Sequence, residues 1–189
     1  MTSDRKGLRF THIGIYVHDI DTMAAFYKEY LEFTQTDRGT LDDDSNQSKE
    51  LVFLSRDPDE HHQIVLVSGR PSTLAFNPIN QISLKADSLE TLREFHSRLQ
   101  KAPVTDIAPI THGNALSVYF LDPEQNRVEL YVDLPWYVSQ PCRVVAPIEL
   151  SIPGLMKWLE EHARTLPGFR PRSEWRREMA ELMGTHHTK

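Results

Sequence analysis

Glu129 stands on an alternating, strand-like stretch a few residues past an Asp-Pro turn, within Ser117-Val118-Tyr119-Phe120-Leu121-Asp122-Pro123-Glu124-Gln125-Asn126-Arg127-Val128-Glu129-Leu130-Tyr131. That is where a metal-binding β-module would present a carboxylate. An imidazole, His12, and a neutral oxygen donor, Gln81, open two further alternating stretches, while His62, His112 and Tyr119 can carry a proton or donate a hydrogen bond. Together they offer ligand and acid-base chemistry for a divalent cation and a bound oxygen function. Each also has a plainer reading taken singly. His12 could be a strand-end histidine bonded to backbone, Glu129 a surface charge, Tyr119 a core aromatic, and His112 a loop residue beside Gly113. Gln81 reads equally as a ligand or as a remnant.

An internal repeat brings these residues into relation. His12-Ile13-Gly14-Ile15-Tyr16-Val17, followed by Asp19, Thr22 and Phe26, aligns without gaps on Gln81-Ile82-Ser83-Leu84-Lys85-Ala86, followed by Ser88, Thr91 and Phe95. A second register sets Leu51-Val52-Phe53-Leu54 and Asp57-Pro58 on Leu116-Ser117-Val118-Tyr119 and Asp122-Pro123. Continued, it sets His62 on Arg127, Ile64 on Glu129 and Leu66 on Tyr131. Each first strand alternates aliphatic with non-aliphatic residues, the pattern of a half-buried strand. His12, Gln81 and Glu129 share the non-aliphatic parity and can converge on one cleft. His62 has the parity of Glu129 in the repeat register, whereas His61 points away and caps a turn.

A helix follows each first strand: Thr22 to Leu31, with Met23, Phe26, Tyr27 and Tyr30 at helical spacing, and Ser88 to Leu99, with Leu89, Leu92, Phe95 and Leu99 likewise and Ser88 as N-cap. Strands are then expected over Phe33 to Asp37, Leu51 to Leu54 and Gln63 to Val67, and over Val104 to Ile110, Ala115 to Phe120 and Arg127 to Val132. The fold class is α+β: two βαβββ modules, about 8–69 and 77–133, forming a curved mixed sheet around a cleft within residues 8–133. Residues 134–189 follow as a proline-rich connector (Pro135, Pro141, Pro147, Pro153) and two helices, Pro153 to Arg164 and Ser173 to Met183, the second with Ser173 as N-cap and Gly184 just past its end. Their apolar faces (Leu155, Trp158, Leu159; Trp175, Met179, Leu182) pack either on this chain's own sheet or against a second subunit.

The chain of 189 residues carries a formal charge of −6 with no basic run interleaved with aromatics, which argues against nucleic acid as a partner. One cysteine, Cys142, excludes a disulfide framework and suggests a reducing compartment. No apolar run reaches membrane-spanning length and the N-terminal residues lack a signal-peptide core, so a cytoplasmic protein is expected. Asp42-Asp43-Asp44-Ser45-Asn46 lacks the glycine and the glutamate of a calcium loop and reads as solvated. His186-His187 carries no role.

The duplicated βαβββ unit, His12 at its first strand and Tyr-Phe-x-Asp-Pro-x-x-Asn-x-x-Glu in the second copy resemble the vicinal-oxygen-chelate superfamily of glyoxalases, bleomycin-resistance proteins and extradiol dioxygenases. The resemblance covers about Leu8 to Val132. His61-His62-Gln63-Ile64-Val65-Leu66, and Thr111-His112-Gly113 followed by Ser117-Val118-Tyr119-Phe120, are similar to the strands of one-domain type I extradiol ring-cleavage dioxygenases. That resemblance implies a metal held by His12, Gln81 and Glu129, a proton shuttle at His62, and a substrate oxygen held by His112 and Tyr119. The implied ion is Fe(II), with Zn, Mn or Ni also within reach because Gln81 stands where those enzymes have a second histidine. The implied substrate is an aromatic vicinal diol and the implied assembly a homodimer. Two alternatives follow from Gln81: a glyoxalase-like metal-dependent lyase or isomerase, or a small-molecule binding protein without catalysis.

Overall fold

The computed structural model describes residues 7–42, 48–74 and 77–184. Of the acidic stretch only Asp42 is among them; residues 43–46 and His186-His187 lie outside. In chain order, module one comprises β1 (Ile13–Val17), α1 (Ile20–Leu31), β2 (Thr34–Asp42), β3 (Ser48–Ser55) and β4 (Ile64–Ser68). Module two comprises β5 (Ile82–Lys85), α2 (Leu89–Leu99), β6 (Thr105–Thr111), β7 (Ala115–Leu121) and β8 (Arg127–Asp133). The expected β-α-β-β-β order holds in both, and each unit forms its own mixed sheet. Module one is a four-stranded sheet in the order β1-β4-β3-β2. Module two repeats it as β5-β8-β7-β6, and β10 (Val144–Val145) adds a fifth strand beside β6. In each module the first and last strands pair in parallel and the hairpins are antiparallel.

The aliphatic parity of β1 and β5 faces the helices, as alternation requires. Ile15, Val17 and Ile82 are buried with Met23, Phe26, Tyr27 and Leu31 of α1 and with Leu92 and Leu99 of α2. Both helices start at caps. Asp19 accepts from the backbone N–H of Asp21 and Thr22, and Ser88 accepts from that of Thr91, satisfying donors that a first turn leaves without partners. The Asp19 cap places the start of α1 two residues before the expected Thr22.

The modules meet at the β7–β8 turn. Asp122 is fully buried and its carboxylate accepts from the backbone N–H of Glu124 (3.0 Å) and Asn126 (2.8 Å) and from Asn126 Nδ2 (2.8 Å). Asn126 Oδ1 in turn accepts from Arg70 (3.2 Å) and Asn77 (2.6 Å). The Glu124 carboxylate accepts from the backbone N–H of His18 and Asp19 at 2.7–2.9 Å, just ahead of α1, where the helix dipole favours an anion. Tyr27 reaches Asp122 from α1, and Phe26 packs edge-on against Phe120 at 6.3 Å. One hydrophobic core therefore spans both modules.

The segment beyond Asp133 folds back onto its own chain. β9 (Trp136–Tyr137) pairs with β11 (Arg170–Pro171), and Leu134, Trp136, Val138, Ala146 and Ile148 are buried. Helix α3 (Ile152–Arg164) is capped by Ser151 and buries Leu155, Leu159 and Ala163 in the common core. Helix α4 (Arg172–Leu182) behaves differently. Its N-cap is Pro171 rather than the expected Ser173, it buries none of its residues, and Leu182 is 77% exposed. Trp175 of its expected apolar face stacks on Tyr137 at 5.4 Å.

Candidate active site

The pairings place five positions of each module on equivalent lattice points. His12 corresponds to Gln81 by the repeat. Gly14 is opposite Val65 as Ser83 is opposite Glu129. Phe53 is opposite Val65 as Tyr119 is opposite Glu129. Leu51, two residues before Phe53, corresponds to Ser117. The position of Glu129 is thus held in module one by Val65, not by Ile64 as the ungapped register expected. The β3–β4 connection is longer, with Leu54 paired to Ile64, than the β7–β8 turn, with Phe120 paired to Val128.

In module two this lattice is polar and interlocked. Glu129 is 7% exposed, and its two oxygens accept from Ser117 Oγ (2.6 Å), Ser83 Oγ (2.5 Å) and Gln81 Nε2 (2.9 Å). A buried carboxylate needs such donors to remain charged. With Nε2 turned to Glu129, Gln81 has its amide oxygen left to act as a ligand.

Beside this group lies a linked pair. His112 sits in the β6–β7 connection, where Gly113 adopts φ +76° and lies so close to Val138 and Leu166 that an added Cβ would stand 2.5 Å from one and 2.8 Å from the other. Only glycine lets the hairpin tuck against the extension here. His112 Nδ1 lies 2.6 Å from the carbonyl oxygen of Cys142 and Nε2 lies 2.9 Å from the Tyr119 hydroxyl. A carbonyl only accepts, so Nδ1 carries the proton and Nε2 accepts from Tyr119. Burial, and then the neighbouring Glu129 carboxylate, push the Tyr119 hydroxyl up to about 12, so it holds its proton throughout the neutral range. His112 Nε2 is 3.9 Å from Glu129 Oε1. These side chains border a cavity of about 520 Å³ lined by Gln81, His112, Tyr119 and Phe120, with Asp106, Arg127 and Arg143 among the others.

The remaining candidates form a second group on module one. The rings of His12 and His62 stand 4.4 Å apart. His61 and His62 approach through their Nδ1 atoms at 2.8 Å, and both rings lean edge-on against Phe53. His61 therefore does not point away, and it caps no turn. Both histidines precede β4, in the connection, so strand parity does not govern them. Burial and the neighbouring imidazoles of His12 and His61 hold the His62 pKa below its ordinary value, against the opposing pull of Glu60.

The structure brings Gln81, His112, Tyr119 and Glu129 together, and His12 and His62 together, but it joins neither of the latter to the former. Among the described residues no hydrogen bond, ion pair or ring contact links the two groups, and no three of the His, Cys, Asp and Glu side chains stand as a metal-binding set. The donor types of His12, Gln81 and Glu129 suit a divalent cation. Four participants escaped the sequence reading. Ser83 and Ser117 share the parity of Gln81 and Tyr119, which was a legible signal. Arg127 shares that of Glu129 but as an exposed residue carried none. The Cys142 carbonyl is backbone and leaves no mark in side-chain type.

Duplicated βαβββ modules, each a mixed sheet with its helix behind, define a class, and the sequence names it. Residues 9–130 match the Glyoxalase/Bleomycin resistance protein/Dioxygenase superfamily, and the chain belongs to it. A biphenyl-2,3-diol 1,2-dioxygenase 2 of Rhodococcus globerulus is 25% identical over 129 residues, which are 66% of this chain and 63% of that protein, so the chain spans less than two thirds of that relative. Among solved structures, a glyoxalase family protein from Bacillus cereus shares the fold with a TM-score of 0.52 at 17% identity, covering 71% of this chain and 99% of that one. The fosfomycin resistance protein FosX of Listeria monocytogenes, complexed with Mn(II) and sulfate, overlaps with a TM-score of 0.49 at 19% identity, covering 69% of this chain and 94% of that one. No helix among the described residues is long and apolar enough to cross a membrane.

Proposed function

We propose that the module-two cavity is the substrate side of an extradiol-type site that cleaves a catechol-like vicinal diol with dioxygen, and that a second copy of the chain completes it. The observation that carries this reading is the fixed-tautomer pair His112–Tyr119 beside the buried Glu129 carboxylate, on the wall of a cavity large enough for a small aromatic molecule. The distant likeness to a biphenyl-2,3-diol dioxygenase supports it.

A hydroxyl that enters this corner and displaces the Tyr119 contact meets His112 Nε2 as a base, because Nδ1 is committed to the Cys142 carbonyl. This nitrogen takes the proton that the hydroxyl loses. Tyr119, which keeps its own proton to about 12, then donates to the oxygen as negative charge develops on it. His12 and His62 are the imidazoles absent from this half, and a homodimer in which module one of one copy faces module two of the other would supply them. His62, neutral near pH 7, is the proton carrier on that side. A divalent cation held by His12 of one copy with Gln81 and Glu129 of the other, Fe(II) for this reaction, would supply Lewis acidity to the diol oxygens.

The test is anaerobic reconstitution with Fe(II), then exposure to oxygen and a panel of catechols. A yellow ring-opened product is expected, and none from any catechol sinks the reading. Gln81, an amide in place of an imidazole, favours a second one: a glyoxalase-like lyase or isomerase with Zn, Mn or Ni, which would turn over with oxygen strictly excluded.

A further inference from the structure

The cavity carries positive charge that the protein itself leaves unanswered. Most arginines of this acidic chain face a carboxylate: Arg38 meets Asp21 and Glu50, Arg98 meets Glu32, and Arg170 meets Glu178. Arg127 and Arg143 do not. Among the described residues neither guanidinium has a hydrogen bond, an ion pair or a ring contact, and both residues line the cavity that holds Tyr119 and His112. They come from unrelated parts of the chain, Arg127 from the first position of β8 and Arg143 from the connector just before β10.

Arg127 lies two residues before Glu129 on the same strand face, about 7 Å along the strand. Its cross-strand partner is Leu121, and that of Glu129 is Tyr119. One wall thus has a proton-handling end at Tyr119, backed by the buried Glu129, and a cationic end at Arg127, with Phe120 and Leu121 also on the lining. The spacing is that of a small ring and one substituent. Asp106 lines the cavity too, held at φ 55° in the bulge between Thr105 and Ala108, and its charge opposes an anion. The two guanidiniums outnumber it. A guanidinium fork matches a carboxylate's two oxygens.

We infer that the substrate of this site carries a carboxylate, which Arg127 and Arg143 grip at the end of the cavity away from Glu129. This rests on the reading above only in that it concerns the same cavity; the recognition itself needs neither metal nor dioxygen.

Calorimetric titration of the full chain tests it with two matched pairs, benzoate against benzyl alcohol and 2,3-dihydroxybenzoate against catechol. Each acid should bind about tenfold more tightly than its neutral partner, with a preference that narrows as salt is raised. The double variant Arg127→Gln/Arg143→Gln should lose the preference while keeping the affinity for the neutral partners, and Asp106→Asn should enlarge it. Equal affinities within each pair, no binding of either acid, or a preference that survives in the double variant would overturn the inference. The two proposals fail separately. Catechol bound and cleaved without a carboxylate preference removes this inference and leaves the diol reading, whereas a carboxylate preference without ring opening does the reverse and supports this one.

Discussion

The open faces of the two modules are built on one lattice and filled with opposite chemistry. His12, Gly14, Val65, Phe53 and Leu51 occupy in module one the points that Gln81, Ser83, Glu129, Tyr119 and Ser117 occupy in module two. In module two the five side chains form a hydrogen-bonded set around a carboxylate. In module one four of the five offer no polar side-chain atom, and the imidazole meets the hydroxyl of its neighbour Thr11 and the ring of His62 in the β3–β4 connection. Cover differs as well. The C-terminal extension closes over one end of module two by accepting from His112 through the Cys142 carbonyl and by adding β10 to the sheet. Among the described residues module one receives nothing similar: β2 is exposed along its whole length and Tyr16 is 58% exposed. The difference teaches that duplication kept the positions and divided the labour, one copy holding the polar site and the other presenting imidazoles on an uncovered face.

The comparison breaks most decisively if the halves of the site do not belong together. His12→Ala and Glu129→Ala should each lower ring-cleaving activity by a factor of about a thousand, about 4 kcal/mol of transition-state stabilisation. Mixing the two inactive variants under conditions that exchange subunits should restore roughly a quarter of wild-type activity, because a two-fold hybrid carries one intact site. No recovery on mixing, with subunit exchange verified by mass, would show that the two faces do not share a site.

The two Asp-Pro turns, alike in sequence, sharpen the same contrast through stability. Asp122 is fully buried with three donors from its own turn, whereas Asp57 is exposed and accepts from the Asp59 backbone N–H. Asp122→Ala should cost about 3 kcal/mol, since it strands buried donors, and Asp57→Ala under about 1 kcal/mol. Urea unfolding midpoints measure both, and equal costs would mean that the second turn is no more integral than the first. A pH dependence accompanies this. Burial, outweighing its donors, raises the Asp122 pKa above the ordinary carboxyl value. The folded state therefore holds that proton more tightly than the unfolded chain does. The corresponding stability is full below about pH 4 and is lost as pH rises through the raised value. Asp122→Asn should remove that slope.

The fold was legible because its signals are local and repeated. Alternation in β1 and β5, helical spacing in α1 and α2, and Ser88 as a cap each fix an element without reference to distant residues. What escaped depends on contacts. The shift from Ile64 to Val65 opposite Phe53 follows from a longer connection that an ungapped alignment cannot show. The expected turn cap at His61 failed because loop backbone does not alternate. Trp175, Met179 and Leu182 promised a buried face on α4, but helical spacing states only that a face exists, not that anything covers it. The convergence of His12 with Gln81 and Glu129 stays an expectation that parity alone carries. Parity chooses the side of a sheet, whereas the arrangement of two sheets is set by the core between them, here the Phe26–Phe120 and Tyr27–Asp122 contacts.

The finest difference between the lattices is one oxygen atom, the hydroxyl that Tyr119 has and Phe53 lacks. Tyr119→Phe should leave the fold intact, since the ring keeps its packing and His112 keeps the Cys142 carbonyl, and should lower kcat about tenfold with little change in KM if the hydroxyl acts only once charge develops. A spectrophotometric titration isolates the same group without any substrate. The difference between wild type and Tyr119→Phe should show a single phenol ionising near 12, and Glu129→Gln should bring that value down without returning it to 10, because burial is the larger cause and the carboxylate the smaller. The sign for stability follows: the folded state retains this proton beyond the unfolded value, so its contribution is complete below pH 10 and disappears as pH rises towards 12. A phenol that titrates near 10 in the wild type would mean that the hydroxyl faces water, and the two open faces would then differ in composition but not in the environment that gives Tyr119 its proposed work.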